Sequence, residues 1–349
     1  MSTSNVFPVI RRCVVLIALL PALYACESGP VALAPDGNSM GTTWHARLLT
    51  DTLSEASLHK GIQGVLDRIE TRMSTYRKDS ELSRFNASRS TDWFPVSAET
   101  ARVVAEALRI ARLSGGAFDI TVAPLVDMWG FGPDFHLDRI PVQSRIEAAL
   151  AHTGYKNLEI RGAPPALRKR DPLTQIDLSG IAKGYAVDAV ASYLRQAGLR
   201  DFMIEVGGEV YAAGHNASAQ AWRIAVERPR DEGRAIERVV GLSDQGMATS
   251  GDYRNYFYIA GVRYSHTIDP RTGWPVRHHL ASATVLHAST MSADALATAM
   301  LVLGRQRGLE LARREALAVL LIGREAQGLR EYASAAFRRR QQGSRDTGE

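Results

Sequence analysis

The chain has 349 residues, 45% hydrophobic and 23% charged, a balance that excludes a disordered or fibrous chain and suits a globular protein. Its formal net charge of +5, from 42 Lys and Arg against 37 Asp and Glu, is too mild to argue for nucleic-acid binding. Both cysteines, Cys13 and Cys26, fall at or before residue 26, so the rest of the chain offers no disulfide, no Cys–metal site and no thiol nucleophile.

Arg11 and Arg12 precede the apolar run 14–20, and Pro21 to Cys26 follows. Residues 1–25 therefore read as a secretory signal, with an apolar stretch too short to span a bilayer stably and small residues before a cleavage point. The ending Leu23-Tyr24-Ala25-Cys26 resembles a bacterial lipobox, although Tyr24 stands where a small residue is usual. Cleavage there would expose Cys26 for lipidation and tie the protein to the periplasmic side of a bacterial membrane. The alternative is a plain secreted chain with an unmodified Cys26. Glu27 is not the Asp that signals inner-membrane retention, and the choice between inner and outer membrane stays open. Loss of Arg11 and Arg12 with the leader takes two from the net charge of +5 and leaves +3. Residues 26–39 are polar and contain Gly and Pro, as expected of a lipid-anchored tether. The stretch 40–337 is expected to be the folded domain, and 338–349, with Arg338, Arg339 and Arg340, a flexible basic tail.

Along the domain, Met40–Leu49 alternates like an opening strand, and Leu58–Arg72 carries apolar residues at helical spacing. Residues 71–86 read as a Ser-rich loop leading to a short helix. Ala98–Ser114 is a strong amphipathic helix stopped by Gly115-Gly116, then a short strand is expected over 117–122 and a loop around Trp129–Gly132. A short helix at 146–152 and strands at 158–160 and 175–178 precede a helix over 181–196. Next come a strand at 202–213 broken by Gly207-Gly208, and strands at 222–226 and 238–242. A turn over 247–254 and strands at 256–259, 263–266 and 283–286 follow. The last elements are a helix from Ser292 to Gly304 and a final strand at 316–322. Helices are mixed with consecutive strands, which favours an α+β fold with mixed sheets and packed helices over a doubly wound one.

Several segments carry chemistry. Asp177-Leu178-Ser179-Gly180 turns into a helix with Lys183 in its first turn. Free N–H groups and an ammonium there suit a phosphorylated ligand; an ordinary strand-to-helix junction with a surface lysine would look the same. In Gly115-Gly116-Ala117-Phe118-Asp119, two glycines let the backbone approach a ligand, or simply end a helix. His266 leaves a strand before the turn Asp269-Pro270-Arg271-Thr272-Gly273, and histidine is the side chain suited to taking a proton near neutral pH. Asp294 and Thr298 lie four apart on one helix face among small alanines, a hard-oxygen pair of the kind Mg²⁺ uses alongside water and phosphate oxygens. Ser292 and Asp294 would also serve a helix N-terminus without any metal.

Taken together these segments resemble ApbE-like flavin transferases (FAD:protein FMN transferases). The resemblance runs from Met40-Gly41-Thr42 through Ser74-Thr75-Tyr76, Asp79 to Asn86, Gly115 to Asp119, Asp177 to Asp188 and Gly207-Gly208. It continues through Thr249 to Tyr253 and His266 to Gly273, ending at Ala293-Asp294 with Thr298. Ser179 stands where many members carry Gly. The resemblance implies one large α+β domain of two lobes. Met40, Tyr76, Ala117, Phe118, Asp119, Asp177, Lys183 and Ile268 match FAD-contacting positions. Asp294 and Thr298 match ligands of a Mg²⁺ cofactor, with Gly180 and Ala297 close to the ion; His266 matches the base, and Lys183 adds charge stabilisation. The implied activity is transfer of FMN from the substrate FAD to a Thr or Ser hydroxyl of a target protein, releasing AMP. Acceptors would be extracytoplasmic subunits of membrane redox complexes, with no role for nucleic acid. Hydrolysis of FAD to FMN and AMP is the near alternative, and a non-catalytic flavin-binding lipoprotein the more distant one, which would not need His266 with Asp294 and Thr298.

Overall fold

The computed structural model describes residues 1–2, 31–132, 140–230, 233, 235–253 and 255–346. The expected signal segment beyond residue 2, Cys26, the first part of the tether and residues 347–349 lie outside the described residues. Residues 31–39, expected to be tether, instead form β1 (Val31–Leu33) and β2 (Asp36–Ser39), both antiparallel to β3 (Thr42–Thr50). Met40 and Gly41, with φ of 53° and 70°, close the β2–β3 hairpin as a two-residue turn. Trp44, Ala46 and Leu48 of β3 alternate into the core.

Helix α1 (Glu55–Met73) starts at its Ser54 cap and buries Leu58, Ile62, Leu66 and Ile69. Then come α2 (Glu81–Ala87), β4 (Phe94–Pro95) and α3 (Ala98–Leu113). The strand expected at 117–122 does not form. Asp119 accepts from both the N–H and the hydroxyl of Thr121 and so starts a 3₁₀ turn at Ile120–Val122, followed by α4 (Ala123–Met128). After α5 (Gln143–Leu150), β5 (Leu158–Gly162) pairs with β6 (Pro165–Lys169), a strand the periodicity did not reveal. Residues 175–178, expected as a strand, join no sheet.

Helix α6 (Ala182–Gln196) leads to the hairpin of β7 (Phe202–Val206) and β8 (Glu209–Ala213), turning at Gly207-Gly208 as expected. β9 (Trp222–Glu227) and β10 (Ile236–Leu242) pair with each other. The expected turn at 247–254 is mostly β11 (Gln245–Gly251), a strand paired on both sides. Small hairpins follow, β12 (Tyr256–Ile259) with β13 (Val262–Ser265) and β14 (Ile268–Asp269) with β15 (Trp274–Pro275). β16 (Leu280–His287) precedes α7 (Thr290–Arg314), which is kinked rather than ended at Gly304. β17 (Ala318–Glu325), β18 (Gly328–Ala333) and α8 (Ala335–Asp346) complete the described chain. The expected flexible tail is therefore helical through Asp346, anchored by the buried Phe337.

The α+β class is what the chain adopts. One nine-stranded antiparallel sheet runs β1-β3-β7-β8-β11-β16-β17-β18, with β2 beside β3. Helices α1, α3, α6 and α7 cover one face through residues such as Leu66, Val104, Val190 and Met300; β9, β10 and α8 cover the other. A smaller cluster of Leu125, Trp129, Ile146, Tyr264 and Ile268 ties α4 and α5 to the small hairpins. The candidate site lies where these units meet. Among the described residues, no helix is long and apolar enough to cross a membrane.

Candidate active site

The Asp177 carboxylate accepts the Ser179 N–H at 2.8 Å and also its hydroxyl, closing the turn that places Gly180 and α6. Ile181, at the α6 N-cap, provides no side-chain cap. The acceptor comes instead from α7, where Asp294 Oδ2 takes the Gly184 N–H at 3.0 Å. Helix α6 returns the contact. Asp188 accepts from Thr290 N at 2.8 Å, Met291 N at 3.1 Å and Ser289 Oγ at 2.7 Å. Each helix thus satisfies free N–H groups of the other, fixing Lys183 relative to Asp294 and Thr298.

Gly184 is required by this crossing, because a Cβ there would lie 2.4 Å from the Thr290 carbonyl oxygen and 2.7 Å from Asp294 Cβ. Gly184→Ala is expected to lower stability by about 1–3 kcal/mol, as overpacking does. Chemical denaturation measures this, and an unchanged midpoint would contradict the tight α6–α7 contact.

Lys183 Nζ lies 2.6 Å from Glu209 Oε2 on β8. Burial opposes the lysine charge, but Glu209 and Asp294 outweigh it and hold the ammonium above its ordinary pKa. Burial pushes the Glu209 carboxyl up to about 8, with Asp294 adding to the rise and Lys183 opposing it. Burial raises Asp294 in the same direction. Two buried carboxylates therefore face one ammonium, and full ionisation leaves negative charge without a counter-charge. Glu209 escaped sequence reasoning; the available signal was an acid directly after Gly207-Gly208 within an otherwise apolar strand.

Thr298 lies one turn beyond Asp294, with its hydroxyl 3.1 Å from Ser250 Oγ of β11. A Cβ on Gly180 would sit 3.3 Å from Thr298 Oγ1 and 3.2 Å from the Phe118 ring. Gly180 thus meets Thr298, one turn of α7 beyond Asp294, with Ala297 next to Thr298 in the same helix. Among the described residues no group of three His, Cys, Asp or Glu could hold a metal, so a cation here would rely on one carboxylate, hydroxyl and carbonyl oxygens, and ligand oxygens. That donor chemistry fits Mg²⁺. Ser250 was hidden within the expected turn.

His266 Nδ1 is 3.0 Å from the Asn255 carbonyl oxygen. A carbonyl only accepts, so Nδ1 carries the proton and the neutral ring keeps a lone pair at Nε2. Burial lowers the His266 pKa and the Lys183 charge adds to the fall, while Asn255 and Asp252 oppose it. The ring is therefore neutral at pH 7. Asp252 itself is held by Arg324 through two contacts of 2.8 and 2.9 Å.

A cavity of about 390 Å³ opens beside this junction, lined by Tyr76, Asn86, Asp127, Phe131, Asp177 and Ser179 among others. Tyr76 is 68% exposed and offers its ring at the rim. Phe131, on the cavity wall, presents its ring 6.2 Å from that of His266. Phe118 lies beneath the Gly180 turn, its N–H donating to Ser114 Oγ at 3.1 Å, and Ala117 is buried beside it. Met40 occupies the β2–β3 turn next to Thr42, which packs on Gly207 as Lys183 does. Of the expected FAD contacts, Tyr76 and Asp177 line this cavity, and Met40, Ala117, Phe118, Asp119, Lys183 and Ile268 lie outside its lining. The Asp119 carboxylate faces the protein, engaged by Thr121 and by the Tyr155 N–H at 2.6 Å, and Ile268 is buried in the Trp129 cluster.

The model of the ApbE family matches residues 40–321. The chain is 43% identical to the FAD:protein FMN transferase of Vibrio cholerae, over 94% of this chain and 98% of that protein. It is 40% identical to the FAD:protein FMN transferase of Escherichia coli, over 87% of each. Among solved structures it is similar to the flavin transferase ApbE from Vibrio cholerae, with a TM-score of 0.83, 42% identity, and 89% of this chain and 99% of that one covered. It is similar also to the apo flavinyl transferase ApbE of Pseudomonas stutzeri, with a TM-score of 0.83, 38% identity, and 90% and 98% covered.

Proposed function

Because this chain belongs to the ApbE family, we infer from its site and its relatives that it is a flavin transferase, moving FMN from FAD to a protein. Its acceptor is the hydroxyl of a Thr or Ser on an extracytoplasmic protein, with AMP as the leaving group. The observation that carries this reading is the His266 tautomer. With Nδ1 donating to Asn255, Nε2 is the free base, and depressed basicity keeps it unprotonated and ready to take the hydroxyl proton. The acceptor oxygen bonds to the FMN-side phosphorus, the bond to the bridging oxygen breaks, and that oxygen leaves with AMP. Lys183 and the α6 N-terminus stabilise charge on the diphosphate. A Mg²⁺ held by Asp294, Thr298 and the Gly180 carbonyl, with Ala297 alongside, supplies further charge neutralisation when bound. Tyr76 and Phe131, which line the cavity, offer ring and apolar surface to the flavin, and the buried Phe118 supports the Gly180 turn from beneath.

Purified protein mixed with FAD, Mg²⁺ and an acceptor is expected to leave flavin fluorescence on the acceptor band in a denaturing gel, with AMP in solution. Free FMN and AMP with an unlabelled acceptor would replace transfer by hydrolysis.

The basic and apolar residues before Cys26 support lipid anchoring at that thiol on the periplasmic side of the membrane. Cys26→Ala is expected to move the protein from the membrane to the soluble fraction on cell fractionation; unchanged membrane retention would contradict the anchor.

A further inference from the structure

We infer that Asn86 is a positioning residue for the flavin-nucleotide site, its side-chain amide holding the backbone of Ile176 and so setting where Asp177 presents its carboxylate. The inference rests on the reading that the cavity between Tyr76 and Asp177 takes FAD. Asn86 Nδ2 donates to the Ile176 carbonyl at 2.8 Å, and Asn86 Oδ1 accepts the Ile176 N–H at 2.8 Å. One amide thereby satisfies both polar groups of a residue that joins no sheet, as a neighbouring strand otherwise would. At the next residue, the Asp177 N–H donates to the Ile120 carbonyl at 2.7 Å. Ile176 and Asp177 are therefore held from two elements, α2 and the 3₁₀ turn.

The clamp is itself fixed in place. Asn86 is in the last turn of α2, where Lys169 of β6, 1% exposed, donates to the Asn86 carbonyl at 3.2 Å and the Ser88 carbonyl at 2.8 Å. An ammonium at a helix C-terminus complements the carbonyls there, and it also stands 4.7 Å from the Phe85 ring centre. The chemistry singles out asparagine. Aspartate would set a second acceptor against the Ile176 carbonyl, and alanine would leave both peptide groups without this partner.

Asn86→Asp and Asn86→Ala in the full chain test this, with FAD affinity read by flavin fluorescence, KM and kcat by transfer, and folding by thermal melting. At pH 8 both are expected to bind FAD about tenfold more weakly than wild type, with KM for FAD rising more than kcat falls. Relative to wild type, Asn86→Asp should regain FAD affinity as pH is lowered toward about 5, because a protonated carboxyl again offers one donor and one acceptor. Asn86→Ala should show no such recovery; if it does not fold, the acid recovery of Asn86→Asp decides alone. Wild-type FAD affinity in the variants, or a loss in Asn86→Asp that is indifferent to pH, overturns the inference. A wild-type chain that binds no FAD overturns the cavity reading, and the inference with it.

Discussion

Replacing His266 with alanine is expected to slow transfer by about 10²- to 10⁴-fold, the range lost with a general base. FAD affinity should change little, because the ring's recorded contacts are with Asn255 and Phe131 rather than with the Asp177 turn. The pH profile gives the sharper test. A base must be unprotonated to act, so the rate is flat above its pKa and falls as pH drops through it. Burial and the Lys183 charge place that point below the ordinary histidine range, so the acid limb of wild type should begin lower than an exposed histidine would give. His266→Ala should lose that limb together with the rate. Near-normal labelling of an acceptor by the variant would remove His266 from the chemistry.

Asp294→Asn is expected to cut transfer on the order of 10²- to 10³-fold, since several kcal/mol of charge stabilisation go with the bound cation. Asparagine keeps an oxygen able to accept the Gly184 N–H, so the α6 cap and the melting temperature should largely survive. Asp294→Ala loses the cap as well, and is expected to lose stability by about 0.5–2 kcal/mol in addition. The difference separates the charge from the cap. Titrating Mg²⁺ should show that Asp294→Asn needs far more of the ion to reach its lower rate. An unaltered Mg²⁺ requirement would mean the carboxylate acts through the helix alone.

The helical parts of this fold were legible because each buries one stripe: α1, α3 and α6 follow their apolar spacing and start or stop at the Ser and Gly signals. The central strand β11 was not. Its Thr249, Ser250 and Gly251 read as part of a turn, since Gly is depleted from strands. Helix α7 packs across this strand, and a Cβ on Gly246 would come within 2.4 Å of Thr290 Oγ1, whereas one on Gly251 would meet the Tyr253 ring. The segment 175–178 misled in the opposite direction. The partner of Ile176 is the Asn86 side chain rather than a strand, a pairing that spans 90 positions and leaves no periodic trace.

Within the site, residues that share a local motif were found together, such as Asp177 with Lys183 and Asp294 with Thr298. The residues that complete them, Glu209 against Lys183 and Ser250 against Thr298, come from strands distant in sequence. Asp119 shows the converse case. Its place in a Gly-rich motif was legible, but the task of its carboxylate was not: it builds the 3₁₀ turn and accepts the Tyr155 N–H.

The account depends on a cation and a diphosphate meeting where α6 and α7 cross. A crystal soaked with FAD and Mn²⁺, read by anomalous diffraction, locates both at once. The predicted result is a single metal peak touching Asp294, Thr298 and a diphosphate oxygen, with Lys183 on the same diphosphate. A diphosphate bound away from Lys183, or a metal peak that avoids Asp294, would contradict the account.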